Sequence, residues 1–232
     1  MAYYLPSRRR SFVHWLRALS GVGVIMLVTI LISIIAMIWW TFEPEVISYF
    51  ALRPNSIAVG ENLWTLILHM FVHGGIMHLF VNMFVLFSLG SLCERLVGKR
   101  RFFGVYIIAG IFAGVLSVVA ALMFGNGIGK SIVGRPDDFM VGASGAIFAL
   151  AGLLMVLLPR LRFSIIFLPF FSLPAYIMVP AVLVLTWIIS ILAGWNIGNV
   201  AHFGGFAVGA GYGYYLRLKY RRKVELLERH FR

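Results

Sequence analysis

Five long stretches of this chain contain no Asp, Glu, Lys or Arg, and every charged residue lies before, between or after them: residues 21–40, 62–93, 102–129, 139–159 and 163–216. A helix crossing the hydrocarbon of a bilayer needs about 20 mainly apolar residues, so each stretch is long enough to cross at least once. The second is interrupted by Gly74-Gly75, which predicts an approach segment over 62–73 and a spanning helix over about 76–93. The fifth is long enough for two crossings. Its break is expected around 194–199, and Pro169, Pro174 and Pro180 make its first part irregular before a helix over roughly 175–189. The expectation is six spans in an all-α membrane bundle, forming a single domain over 1–232 with basic tails at 1–20 and 217–232.

Composition excludes the main rivals. With 61% hydrophobic and 12% charged residues, the chain is far from a water-soluble enzyme and equally far from a disordered one. Its single cysteine, Cys93, has no partner for an intrachain disulfide. The net charge of +12 is a matter of placement. Six spans put both termini on one side, and seventeen of the Lys and Arg residues fall there, against only Arg53, Lys130 and Arg135 opposite. That bias predicts cytoplasmic termini and a surface suited to anionic lipids rather than to nucleic acid. Arg8–Arg10 before an apolar run imitates a secretion signal, but the run is too long and lacks a small-residue cleavage site, so it is read as a retained first span.

Strongly polar residues at membrane depth are costly and therefore mark function. The short list is His69, His73, His78, Asn82, Ser144 and His202, while His14 and His230 lie in the tails. Under the topology above, spans 2, 4 and 6 all run inward from the outer face, so His78, Ser144 and His202 each fall near an outer end. Asn82 follows His78 by one helical turn on the same face. Such a set suits acyl transfer, with Ser144 as nucleophile, His202 as general base and then acid, and His78 and Asn82 as donors to the oxyanion. No carboxylate lies within a charge-free stretch, so a Ser-His dyad is a simpler arrangement than a triad. Ser144 opens a span, where unpaired N–H groups favour developing negative charge.

Plainer readings exist for the same residues. Gly142–Gly145 with Ala146 and Ala149, and the four-residue repeat Gly205, Gly209, Gly213, are typical of close helix packing. That packing would itself bring span 4 to span 6. His69, His73 and His78 lack the glutamate of the zinc-protease pattern, because Met70 follows His69, so no metal is expected there. GNGIGKS, residues 125–131, lacks the first glycine of a phosphate loop, Phe124 standing in its place.

Taken together, the motifs resemble the rhomboid family of intramembrane serine proteases. The likeness rests on His73-x4-His78-x3-Asn82, on Gly142-x-Ser144-Gly145 and on Ala201-His202-x-x-Gly205-x-x-x-Gly209, in that order on a six-span frame, with LWTLILHMFVH at 63–73 and Glu94-Arg95 adding to it. The resemblance implies cleavage of single-span or multi-span membrane proteins within or beside their transmembrane helix, without a cofactor. It implies Ser144 as nucleophile, His202 as base, and His78 and Asn82 assisting the oxyanion together with the Ser144 N–H. His73, Gly142, Gly145, Gly205 and Gly209 would be supporting. It further implies that span 5 and the following loop, roughly 175–199, move to admit substrate, and that a small residue is preferred before the cut. Phe148, one turn after Ser144, is placed to stack on His202. One departure is Thr65 after Trp64, where many members have arginine, so the anchoring of the first outer loop is expected to differ. The expected location is a prokaryotic cytoplasmic membrane. The alternatives are a catalytically silent member that binds or translocates membrane-protein helices, and a small-solute transporter, which is disfavoured because no inverted repeat and no acid within a span is visible.

Overall fold

A computed structural model describes residues 20–127, 129–165, 168–193 and 198–230. The N-terminal basic tail and most of the expected break at 194–199 lie outside the described residues. The long helices are α1 (Gly21–Phe42), α2 (Ile76–Val97), α3 (Lys99–Phe124), α4 (Ser144–Leu157), α5 (Ala175–Ala193) and α6 (Asn199–Lys219), followed by a terminal α7 (Arg221–His230). Among the described residues four helices, α1, α2, α3 and α5, are long and apolar enough to cross a membrane. α4 has only 14 residues. α6 has 21 but is diluted by glycines, Asn199 and His202.

The all-α expectation needs correcting. Between α4 and α5 the chain forms a two-stranded antiparallel sheet, β1 (Arg162–Ile165) and β2 (Leu168–Pro174), with Arg162 opposite Pro174 and Ser164 opposite Ser172. Pro169 and Pro174 each lack a backbone donor and disfavour helix here, and a separate hairpin gives the backbone its hydrogen bonds. The helix after it starts at Ala175, as expected, and runs on to Ala193. The C-terminal basic tail is also structured. α7 buries Val224 and pairs Glu228 with Arg217 at 2.6 Å.

The surface of α1 shows why these helices belong in lipid. Its buried stripe is Val22, Ile25, Thr29, Ser33 and Ala36, while Leu31, Ile34, Ile35 and Ile38 face outward. Small and hydroxylated residues turned inward with large aliphatics outward is the pattern of membrane helix packing. The first turn of α1 is held from another helix. The Glu94 carboxylate accepts from the N–H of Gly21 at 2.6 Å and of Val22 at 2.9 Å, and the Ser20 hydroxyl accepts from Gly23 at 2.9 Å. These three bonds satisfy donors that a helix start leaves unpaired.

α4 is the centre. It is buried along nearly its whole length, against α3 on one side and α6 on another. The α4–α6 approach is backbone against backbone: a methyl group at Gly205 would lie 1.8 Å from the Gly145 carbonyl oxygen, and one at Gly209 would lie 1.9 Å from that of Ala149. The packing reading of these glycines is therefore correct whatever else they do. The segment preceding α2, with short helices at Ile47–Phe50, Pro54–Ala58 and Thr65–Leu68, covers one end of the bundle.

Candidate active site

Ser144 is the first residue of α4 and His202 lies one turn into α6, and the close glycine contact brings them together. Ser144 Oγ and His202 Nε2 are 2.8 Å apart, within hydrogen-bond reach. His202 is buried, and its ring stacks on Phe148 with centroids 4.5 Å apart at 29°, as the one-turn spacing from Ser144 predicted. Its Nδ1 is buried and meets no carboxylate or other partner among the described residues. The ring is oriented by stacking and by its contact with Ser144.

The backbone before Ser144 is shaped by Gly142, whose φ of +124° lies in the region that favours glycine. A methyl group there would sit 2.9 Å from His78 Cε1, 3.0 Å from His78 Nε2 and 3.9 Å from Ser144 Oγ. His78 and the serine hydroxyl therefore flank one spot over Gly142, a spot that only glycine leaves open. Gly145 is small for a different reason: its methyl would lie 2.8 Å from Ala113 of α3. The first described intrahelical bond of α4 runs from the Ile147 N–H to the Ala143 carbonyl at 3.0 Å. The N–H groups of Ser144, Gly145 and Ala146 thus precede the helix's own ladder and point from its positive end.

On α2, Asn82 is buried and His78 is exposed toward the cavity. The Asn82 amide donates one hydrogen to the His78 carbonyl at 3.0 Å, which leaves its second amide hydrogen available. The cavity, about 640 Å³, holds Ser144, His202, His78 and Asn82 on its lining. One side of it is built from Val81 and Phe84 of α2 and the other from Met178 and Val182 of α5. Its mainly apolar lining suits an apolar occupant, and among its polar groups His202 is the one bonded to Ser144.

Supporting residues lie behind the serine. His73 is fully buried, accepts at Nε2 from the Ala143 N–H at 3.4 Å, and sets its ring against that of His78 with centroids 4.9 Å apart. His69 contacts the Thr65 carbonyl through Nδ1 at 2.8 Å, and its own carbonyl accepts from Gly142 N–H at 2.9 Å. No group of three His, Cys, Asp or Glu side chains arranged for a metal occurs among the described residues. Ser33 of α1, 3.0 Å from His73 Nδ1, was not among the residues singled out from sequence. Its signal is the spacing of Thr29 and Ser33, two hydroxyls on one face of an otherwise apolar helix.

The segment between α1 and α2 is anchored without an arginine after Trp64. Arg53 and Asn55 both donate to the Asp137 carboxylate, at 2.6 and 2.9 Å, and hold its carboxyl below the usual carboxylate range, the Asn55 bond first and the Arg53 bond second. Leu52 and Met140 exchange backbone bonds at 2.9 and 2.8 Å. Thr65 itself closes the local turn by donating to the Asn62 carbonyl at 2.7 Å, and the Trp64 indole donates to Tyr49 at 2.9 Å.

Comparison with known proteins agrees with this architecture. Residues 60–219 match the family model of the rhomboid domain. The human presenilin-associated rhomboid-like protein, mitochondrial, is 31% identical over 173 residues, which is 74% of this chain and 42% of that protein. The bovine protein of the same name is 30% identical over the same shares of both chains. RHOMBOID-like protein 4 of Arabidopsis thaliana is 31% identical over 167 residues, 71% of this chain and 37% of that one. The chain spans less than half the length of these curated relatives. The apolar helices and these relatives together make it an integral membrane protein. As animal and plant proteins, the relatives lend no support to the prokaryotic cytoplasmic membrane expected from sequence.

Proposed function

The chain belongs to the rhomboid family, and from that membership and the geometry around Ser144 we propose that it is an intramembrane serine endopeptidase that cleaves membrane-anchored proteins within or beside their transmembrane helix. In this reading it is one domain whose helices α1 to α6 all cross the bilayer, with both termini cytoplasmic. The observation that carries the proposal is the 2.8 Å approach of Ser144 Oγ to His202 Nε2, made by residues 58 positions apart on two different helices.

The chemistry follows from the donors and acceptors present. Nε2 of His202 takes the Ser144 proton as Oγ attacks the scissile carbonyl, and the carbonyl oxygen becomes an oxyanion. The Ser144 N–H at the start of α4, with His78 and the free amide hydrogen of Asn82, stabilises that charge in a site of low dielectric. Collapse breaks the C–N bond, and His202 returns its proton to the leaving amine. Water then enters, is deprotonated by His202 and releases the acyl group, restoring Ser144. The cavity between α2 and α5 is the path by which an apolar substrate segment reaches the serine from the bilayer, and movement of α5 admits it.

The experiment is cleavage of a single-span model substrate by the purified protein in liposomes, comparing wild type with Ser144→Ala and His202→Ala, each checked for folding. Cleavage by wild type alone is expected. Cleavage by all three would assign the activity elsewhere, and cleavage by none, across several helix-destabilised substrates, would favour a silent member that binds or translocates membrane helices.

A further inference from the structure

We propose that Ser33 of α1 is a positioning residue for the reaction: through His73 it fixes the backbone immediately before the nucleophile. This rests on the reading of Ser144 as nucleophile. The inference comes from counting hydrogens along one buried chain of contacts. Ser33 and His73 are both fully buried. Ser33 Oγ lies 3.0 Å from His73 Nδ1 and also 3.0 Å from the Phe71 carbonyl oxygen. At the other end of the ring, His73 Nε2 faces the N–H of Ala143 at 3.4 Å.

A backbone N–H can only donate, so Nε2 must be the unprotonated, accepting nitrogen of a neutral imidazole. The proton is then on Nδ1, which donates to Ser33 Oγ. The serine hydroxyl, having accepted that bond, spends its single hydrogen on the Phe71 carbonyl. Every polar atom in the chain is satisfied in this arrangement and in no other. With the proton on Nε2, two donors would face each other at Ala143, and the serine could serve either Nδ1 or Phe71 but not both. The partner of one ring nitrogen sets the tautomer of the other. Ser33 is thus what makes His73 an acceptor for Ala143.

Two consecutive N–H groups are then held by the outer segment, Gly142 by the His69 carbonyl at 2.9 Å and Ala143 by His73. The next, that of Ser144, is the one assigned to the oxyanion. Without Ser33, His73 can change tautomer and turn a donor toward Ala143. The peptide before the serine then loses its fixed orientation, while the cavity that binds substrate is unchanged. The consequence falls on kcat rather than on KM.

The test combines a kinetic and a spectroscopic readout. Full-length protein carrying ¹⁵N-imidazole histidine is compared as wild type, Ser33→Ala and Ser33→Thr, with the His73 signals assigned by their loss in His73→Gln. Nitrogen–proton couplings report which ring nitrogen is protonated. In wild type the proton is expected on Nδ1. Ser33→Ala should move it partly or wholly to Nε2 and lower kcat about ten-fold with KM little changed, and Ser33→Thr, which keeps the hydroxyl, should restore both. A wild-type proton on Nε2 overturns the proposal whatever the Ser33 variants do. So does Ser33→Ala with wild-type kcat, or with a loss of kcat that tracks thermal stability and leaves the tautomer unmoved. Failure of the protease reading is distinguishable: wild type would then not cleave, and the tautomer measurement would still decide the hydrogen-bond chain.

Discussion

Adding one methyl group at Gly205 should part the two helices that carry Ser144 and His202. The methyl carbon would lie 1.8 Å from the Gly145 carbonyl oxygen, whereas a relaxed carbon–oxygen contact is about 3.3 Å. The helices must therefore separate by about 1.5 Å, because the obstacle is backbone and cannot turn aside. Gly205 is one turn from His202, and Gly145 adjoins Ser144, so the wedge enters beside the 2.8 Å contact of the dyad. Misplacement of reacting groups by about 1 Å can cost on the order of 100-fold in rate. Overpacking typically costs about 1–3 kcal/mol, partly offset by the gain of about 0.5–1 kcal/mol that alanine brings to a helix interior. Gly211 supplies the control. It is on the same helix, exposed, with nothing within 4 Å of its added methyl, so Gly211→Ala should be neutral or slightly stabilising. Gly213→Ala is intermediate, its methyl meeting the Leu153 carbonyl oxygen at 3.1 Å and far from the dyad. Cleavage kinetics in liposomes and thermal unfolding in detergent read both consequences. Wild-type kcat and Tm in Gly205→Ala, or a loss in Gly211→Ala as large as that in Gly205→Ala, would refute the wedge.

Three further outcomes are expected. His78→Ala and Asn82→Ala should each lower kcat by about 100-fold or more with little change in KM, as loss of one oxyanion donor does, and the double variant should fall short of the product of the two; steady-state cleavage of one substrate by all four proteins checks this. Phe148→Leu removes the ring stacked on His202, and at about 0.5–1.5 kcal/mol for such a contact kcat should fall roughly 2- to 12-fold, while Phe148→Tyr should retain it. Asp137, whose carboxyl is held below its usual range by Asn55 and Arg53, contributes to stability above its unfolded value near about 3.9, and that contribution fades as pH falls through the lowered folded value. The Tm difference between wild type and Asp137→Asn should accordingly be present at neutral pH and close in acid, and a difference that widens in acid would contradict the assignment.

Much of this site was legible because membrane burial makes polar residues conspicuous. His78, Asn82 and His202 stand out in stretches that hold no Asp, Glu, Lys or Arg, Ser144 stands out by its setting between Gly142 and Gly145, and their spacing to the expected helix starts placed them near one end. The hairpin was not legible. Residues 163–173 form a nearly continuous apolar run without alternation, and such a run does not distinguish strand from helix. Ser33 escaped for a related reason: a serine within a span can satisfy its hydroxyl on its own helix, so its one-turn spacing from Thr29 was too weak a signal to single it out. The anchoring of the outer loop joins Arg53 to Asp137, 84 positions apart. Nothing local to either residue announces such a pair, so the departure at Thr65 signalled a difference without indicating its replacement.

The length of α4 explains why the outer loop must be so firmly tied. Fourteen residues make a helix of about 21 Å, against about 30 Å of hydrocarbon. If α4 ends at the cytoplasmic boundary, where Leu158-Pro159 stop it, Ser144 begins well below the outer surface. The segment 140–143 then runs at membrane depth without helical hydrogen bonds of its own. Irregular backbone is tolerated there only where protein or a water-filled cavity receives its polar groups. Three of its four residues find such a partner: Met140 exchanges bonds with Leu52, Gly142 donates to His69, and Ala143 donates to His73. All three partners come from the segment between α1 and α2. In the protease reading that segment is what lets a helix start, with its exposed N–H groups, lie inside the bilayer, and the placing of Ser144 at depth would depend on it as much as on His202.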